Sequence, residues 1–170
     1  MNPFPGSIPL PRYDHCFVCG KANPIGLDLT FYYHEDRIKT RFSPLPHHAG
    51  YQGIVHGGIL ATILDECMGW TCILSREVMC VAADLSIRYK SPAKVGHVLY
   101  AVSELMEDRK RLILAAGHVE DESGTVVAKG EGKFVPLSRE DRDRVIQYAG
   151  WEDAIQRVYQ RIRADREKPS

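Results

Sequence analysis

A chain of 170 residues, 44% of them apolar, is the size of one domain with enough apolar side chains to enclose a core. Twenty-two basic against twenty-two acidic side chains leave a formal net charge of +0, which excludes the long-range field that draws a protein to nucleic acid or to an anionic membrane. Any anion it binds has to be held locally.

The opening MNPFPGSIPLPRYDHC has neither the charged start nor the apolar run of a signal peptide. No stretch reaches the roughly 18 uninterrupted apolar residues of a membrane span. Of the five cysteines, Cys67, Cys72 and Cys80 lie in apolar segments, where they serve as small core hydrophobes. An odd count placed this way fits a reducing compartment better than a disulfide framework, so the expectation is a soluble, cytoplasmic protein.

In chain order, residues 1–15 carry four prolines and a glycine with no apolar period, and read as an irregular arm outside the core. From Gly26 the pattern alternates: Leu27, Leu29, Phe31 and Tyr33, a turn at His34-Glu35-Asp36, then Ile38, Thr40 and Phe42, which predicts a hairpin. A loop with His47, His48, Gly50 and Gly53 follows. Residues 57–74 (GGILATILDECMGWTCIL) carry no charge except Asp65 and Glu66 and are too long for a strand, so they predict a helix buried on nearly all sides. Strands are then expected near 78–90, 97–107, 111–121 and 125–136, separated by turn signals at Ser91-Pro92, Asp108-Arg109-Lys110 and Glu122-Ser123-Gly124. This order is α+β, a sheet wrapped around one helix. From Ser138 to about Asp165 the period is helical again, with Ser138 and Asp141 placed as a capping pair. Gly150 divides this tail, and Trp151, Ile155, Val158 and Ile162 form an apolar stripe that needs a surface to cover.

The chemistry concentrates in Gly53-Ile-Val-His56-Gly57-Gly58, followed seven residues on by Asp65. Glycines at a helix start leave unpaired N–H donors at the positive end of the helix dipole, which suits an oxyanion. Asp65 sits in apolar surroundings, where a carboxylate is costly without a function or a partner. At about 1.5 Å of rise per residue, Gly58 and Asp65 are roughly 10 Å apart along the helix, too far to touch one carbonyl. Two helices, related by a two-fold axis, are therefore expected to contribute one group each to two equivalent sites. Glu66 points about 100° away from Asp65 around the helix, toward a polar neighbour or a subunit contact.

The run His56-Gly57-Gly58 with an acid nine residues beyond the histidine resembles the PaaI-like thioesterases of the hotdog superfamily. Cys16-Phe-Val-Cys19-Gly20-Lys-Ala-Asn23-Pro24-Ile-Gly26-Leu27 resembles the N-terminal signature of a bacterial subgroup, and Asp84-Leu-Ser-Ile-Arg88-Tyr89 ending in Ser91-Pro92 is also similar, so the likeness extends over residues 15–136. It implies a hotdog fold over residues 16–137 with a C-terminal helical extension over 138–170, and hydrolysis of an acyl-CoA thioester in a homodimer or dimer of dimers. By position it makes Asp65 the nucleophile or general base, Gly57 or Gly58 the oxyanion donor, and His56 the group that orients that loop or the thioester oxygen. Gln52 stands in for an Asn or Gln that relatives carry before the histidine. Arg88, Lys90 and Lys94, or alternatively Arg109, Lys110 and Arg111, would face the coenzyme A phosphates, and Trp70, Met68 and Tyr51 would bound the acyl pocket. No cofactor is implied. Where the family places a Ser or Thr ahead of Asp84, this chain has Val81-Ala82-Ala83, which leaves a non-catalytic acyl-CoA or acyl-carrier binding protein as the alternative. A hotdog dehydratase is disfavoured by the lack of an Asp/His pair within one motif.

His15-Cys16-Phe-Val-Cys19 also invites a zinc reading, with His15 as a third ligand and His34 or a residue from a partner chain as a fourth. A tetrahedral structural site needs four ligands and no second CxxC or HxxxH pair exists, so no metal is expected and a packing turn is the simpler reading.

Overall fold

The computed structural model describes residues 2–167. Among these residues nine strands and three α-helices follow one another: β1 (Ile8–Pro9), β2 (Phe31–His34), β3 (Arg37–Phe42), β4 (Ala49–Tyr51), β5 (Ile54–Val55), α1 (Gly57–Arg76), β6 (Cys80–Tyr89), β7 (Leu99–Arg109), β8 (Leu112–Asp121), β9 (Val126–Pro136), α2 (Arg139–Ala149) and α3 (Glu152–Arg166), with one short 3-10 turn, Pro46–His48, between β3 and β4. Seven strands form one antiparallel sheet in the order β1-β2-β3-β7-β8-β9-β6, while β4 and β5 pair apart from it. The alternation in residues 31–42 becomes the β2–β3 hairpin, with Phe31 opposite Thr40 and His34 opposite Arg37. Glu35 and Asp36 turn the chain with positive φ, and the Tyr33 hydroxyl donates to Asp36 Oδ1 at 2.8 Å.

The sheet wraps α1. Ile63, Leu64, Cys67, Met68 and Cys72 of the helix are fully buried, in one apolar cluster with Ile38, Ala101, Ile113, Ala115 and Phe134 from the strands. By length and composition alone α1 would suit a membrane, but its apolar surface is spent on this core. A polar stitch crosses the helix–sheet contact: Thr71 Oγ1 and Ser103 Oγ are 2.7 Å apart, and Ser103 Oγ donates to Cys67 O at 2.8 Å, all buried. Ser103→Ala removes one of the two partners of the buried Thr71 hydroxyl, which keeps Cys67 O at 3.2 Å, and an equilibrium urea titration is expected to show a loss of about 0.5–1.5 kcal/mol.

The arm departs from the sequence expectation. Ile8 and Leu10 are buried members of the core, and β1 pairs with β2 through Ile8–Tyr33 and Pro9–Tyr32. Their apolar side chains are too few and too interrupted by proline to show a period, yet they cover the open flank of β2. The tail behaves as expected: Ser138 Oγ accepts the Asp141 N–H at 3.1 Å, and Gly150 ends α2 in the left-handed region at φ 65°. Trp151, Ile155, Val158 and Ile162 are all buried. The surface they cover belongs to this same chain, because Trp151 packs on Trp70 of α1 with ring centroids 5.3 Å apart and its Nε1–H donates to Arg12 O at 3.0 Å. Arg163–Glu77 and Arg166–Asp36 ion pairs hold the outer edge of α3.

Candidate active site

The start of α1 is fixed from three sides. His56 N–H donates to His48 O at 2.8 Å, Val55 N–H to Ala93 O at 2.8 Å, and Ile54 bridges to Lys94. His56 is the N-cap: its Nδ1 accepts the Gly58 N–H at 2.9 Å, and its carbonyl accepts from Ile59 at 3.0 Å. The ring nitrogen facing the helix is therefore unprotonated, and His56 acts as an anchor for the turn. Of the first three amide hydrogens this leaves that of Gly57 with no acceptor among the described residues. The sequence left Gly57 and Gly58 open as donors; the cap narrows the choice to Gly57. Tyr89, at the far end of β6, donates its hydroxyl to Gly57 O at 2.9 Å and holds this residue in place. A cavity of about 450 Å³ opens here, lined by Tyr51, His56, Gly57, Leu60, Tyr89 and Lys90 among others. Its floor is the positive end of a helix dipole.

Asp65 lies two turns further on. Its Oδ1 is sealed from solvent and has no hydrogen-bond partner, and burial holds its pKa above the ordinary carboxylate value. It lines a second cavity of about 300 Å³ with Gly69, Trp70, Ala82, Phe134 and Trp151. An unpartnered carboxylate in an apolar recess marks a functional position more readily than a structural one. Glu66 takes another direction: it lines the same recess but also reaches Cys16 and Cys19, and burial, then the charge of Cys16, pushes its pKa up to about 7.

The remaining expected site residues separate. Trp70 is in the wall of the Asp65 recess, covered by Trp151. Lys90 edges the Gly57 cavity and, with Arg88 and Lys129, lines a hollow on the sheet surface. Lys94 is exposed beside β5, and Gln52 stands exposed at the tip of the β4–β5 turn, in the wall of neither cavity. Arg109 at the β7–β8 tip is engaged with Glu107 at 2.7 Å, and the backbone carbonyls of Arg109 and Lys110 accept from Arg76. Tyr89 and Trp151 were not singled out for the site by the sequence reading. The alternation of β6 could have marked Tyr89 as facing the helix, whereas nothing local connects Trp151 to Asp65.

The Gly57 and Asp65 cavities share no residue, as the helical rise requires. A long helix enclosed by an antiparallel sheet, with its glycine start and its acid opening to different sides, is the hotdog architecture. Solved structures agree: a thioesterase superfamily protein superposes with a TM-score of 0.67 at 27% identity, covering 72% of this chain and 60% of its own. The PaaI protein of E. coli, from the phenylacetic acid degradation operon, superposes at 0.63 with 20% identity over 71% of this chain and 84% of its own. Residues 52–128 match the family described as the thioesterase superfamily. The acyl-coenzyme A thioesterase THEM5 of Mus musculus is 31% identical over 123 residues, 70% of this chain and 49% of that protein. Over residues 52–128 the chain is thus similar to the thioesterase superfamily in sequence, and its fold is shared with a solved protein of that superfamily. It spans about half the length of the curated relatives it matches.

Proposed function

We propose that the chain hydrolyses an acyl-CoA thioester to the free acid and coenzyme A, at a site completed by a second copy of itself. The observation that carries this reading is the placement of β6. This ten-residue strand is the edge of the sheet, paired to β9 on one side only, and it leaves Val81 49% and Tyr89 55% exposed. A long open edge is a template for another strand. Its beginning, Val81 and Ala82, lines the Asp65 recess, and its end, Tyr89, lines the Gly57 cavity. Antiparallel pairing of β6 with β6 of a second copy sets the end of one strand beside the beginning of the other. The Gly57 cavity of each copy then adjoins the Asp65 recess of its mate, and the two half-sites become two whole ones.

In such a site the thioester oxygen lies at the Gly57 N–H and the helix dipole, which stabilise the charge that develops on it. Asp65 stands on the opposite side of the carbonyl carbon. It either adds directly, displacing the thiolate and forming a mixed anhydride that water then hydrolyses to the free acid and the restored carboxylate, or takes a proton from water, whose oxygen adds to the carbon before the C–S bond breaks; in both cases the departing thiolate takes up a proton. Lys90 edges this cavity and shares a neighbouring hollow with Arg88, and the two would meet the phosphate charge of coenzyme A. Water and the chain's own groups are sufficient for the reaction.

The test is complementation. Gly57→Pro deletes the free N–H at a helix position that tolerates proline, although Tyr89 has to give way slightly because a Cβ there meets its ring at 3.0 Å. Asp65→Asn deletes the acid. Each variant alone is expected to be inactive toward acyl-CoA by thiol release. Unfolded, mixed and refolded together, they should recover about a quarter of wild-type activity, because half the dimers then carry one intact site. A mixture as inactive as its parts, or a chain that sediments as a monomer, sinks the composite site. A non-catalytic acyl-CoA binding protein is the second reading, favoured by Ala82, which puts a methyl beside Asp65 where a hydroxyl could have oriented water. Binding of several acyl-CoAs without turnover of any would decide for it.

A further inference from the structure

Beyond Asp65 and the Gly57 turn, chemistry is most concentrated where the N-terminal segment crosses the middle of α1, at Glu66, whose other side borders the Asp65 recess. Cys16 Sγ, Cys19 Sγ and a Glu66 carboxylate oxygen all lie within 4.8 Å of one another. We infer that these three side chains hold a zinc ion that pins the Cys16–Gly20 turn to the central helix.

Three features support the assignment. The first is charge. Each of the three groups is an anion when it acts as a ligand, so three of them gathered in one half-buried place can together neutralise a divalent cation and offset the cost of burying it. The nearest arginines are engaged elsewhere: Arg12 with Asp28 and with Cys19 O at 2.6 Å, Arg144 with Glu140 and Asp141. The second is the backbone. Cys16 Sγ accepts the N–H of Val18 at 3.2 Å and of Cys19 at 3.4 Å, so the turn aims two amide hydrogens at one sulfur and favours its thiolate. Gly20 N–H closes the turn on Cys16 O at 3.0 Å. A Cβ on Gly20 would stand 2.4 Å from Cys16 O and 2.5 Å from Asp14 O, so only glycine allows the chain to fold back this tightly behind the two sulfurs. The third is the donor set. Two thiolates with one carboxylate suit zinc, whereas calcium and magnesium take oxygen alone.

Three protein ligands leave the fourth tetrahedral position to water. Cys16, Cys19 and Glu66 all line a cavity of about 740 Å³ that is also walled by Tyr13, Tyr148, Ala149 and Trp151, and from which that water would come. The ion is a fastening for the arm, and no step of the proposed hydrolysis runs through it. The sequence offered Cys16 and Cys19 but sought the missing ligands in His15 and His34. The third ligand is instead a helix residue far along the chain, and spacing gives no hint of it.

The experiment reads metal and is therefore independent of any hydrolase activity. The full chain, purified under reducing conditions without chelator, is analysed for metals, loaded with Co²⁺, and titrated with Zn²⁺ against a chromophoric chelator. Expected are about one zinc per chain and, with Co²⁺, a sulfur-to-cobalt charge-transfer band with the strong visible absorption of tetrahedral coordination. Cys16→Ser should abolish the band, and Glu66→Gln should weaken zinc binding by at least about tenfold. Chelation should lower the melting temperature of the wild type and leave that of Cys16→Ser unchanged. Zinc affinity in the wild type no tighter than in Cys16→Ser overturns the proposal, as does a Cys16–Cys19 disulfide in metal-free protein purified without reductant. Should the cysteine variant fail to fold, Glu66→Gln still decides, since full zinc affinity there removes the third ligand.

Discussion

Asp65→Asn is expected to lower kcat for acyl-CoA hydrolysis by about 10²- to 10⁴-fold, measured as thiol release from short, medium, long and aromatic acyl-CoAs. The substitution is nearly isosteric and takes the charge from a group whose Oδ1 is buried without a partner. The wild-type carboxylate contributes nothing to folding through that atom, and its charge is disfavoured by burial. The variant should therefore unfold at a urea concentration equal to or higher than the wild type at neutral pH while losing turnover. That combination separates a reacting group from a structural one, because loss of a structural carboxylate lowers stability first. Wild-type turnover in Asp65→Asn would remove this residue from the chemistry and turn attention to Glu66.

The second large effect is at Trp151. Its indole ring lies on Trp70, its N–H is bonded to Arg12 O, and it walls both the Asp65 recess and the cavity beside Cys16. Trp151→Ala is expected to cost about 3–5 kcal/mol. Each kcal/mol corresponds to about 2–4 °C of melting temperature for a chain of this size. Differential scanning calorimetry measures this directly. Trp151→Phe keeps the ring contact but leaves Arg12 O without its donor, and should fall between the two. A melting temperature for Trp151→Ala within about 2 °C of the wild type would mean that the tail is a loose appendage.

The core fold was legible because its signals are local. The alternation of Phe31 to Phe42, the apolar length of 57–74, the Ser138 cap and the Gly150 break each act within a few residues, and each became the expected element. So did the acid and the glycine pair on one helix, since their separation follows from helical rise alone. Legibility ended where residues distant in sequence meet. Ile8 and Leu10 lie among prolines and show no period, yet they are buried because β2 needed a neighbour. The segment VMCVAADLSIRYK reads as an ordinary strand, but as the last strand of its sheet it is largely exposed, which sequence alternation cannot show. Helical geometry turns Glu66 away from Asp65, toward a polar neighbour or a subunit contact, but cannot say that the neighbours are the N-terminal cysteines. Gln52, chosen because it alone had the right side chain in its neighbourhood, stands at an exposed turn.

The sheet has two unequal margins. One is β6, ten residues long and open; the other is β1, two residues long, with Pro9 inside it and Pro11 just beyond. Joining two copies along β6 consumes both long margins and leaves the resulting sheet bounded at each end by a stub that offers too few amide hydrogens to recruit a further strand. In the proposed pairing, growth along the sheet would therefore stop at two chains, and the prolines that mark an irregular arm in the sequence would blunt the margin left open to filament formation.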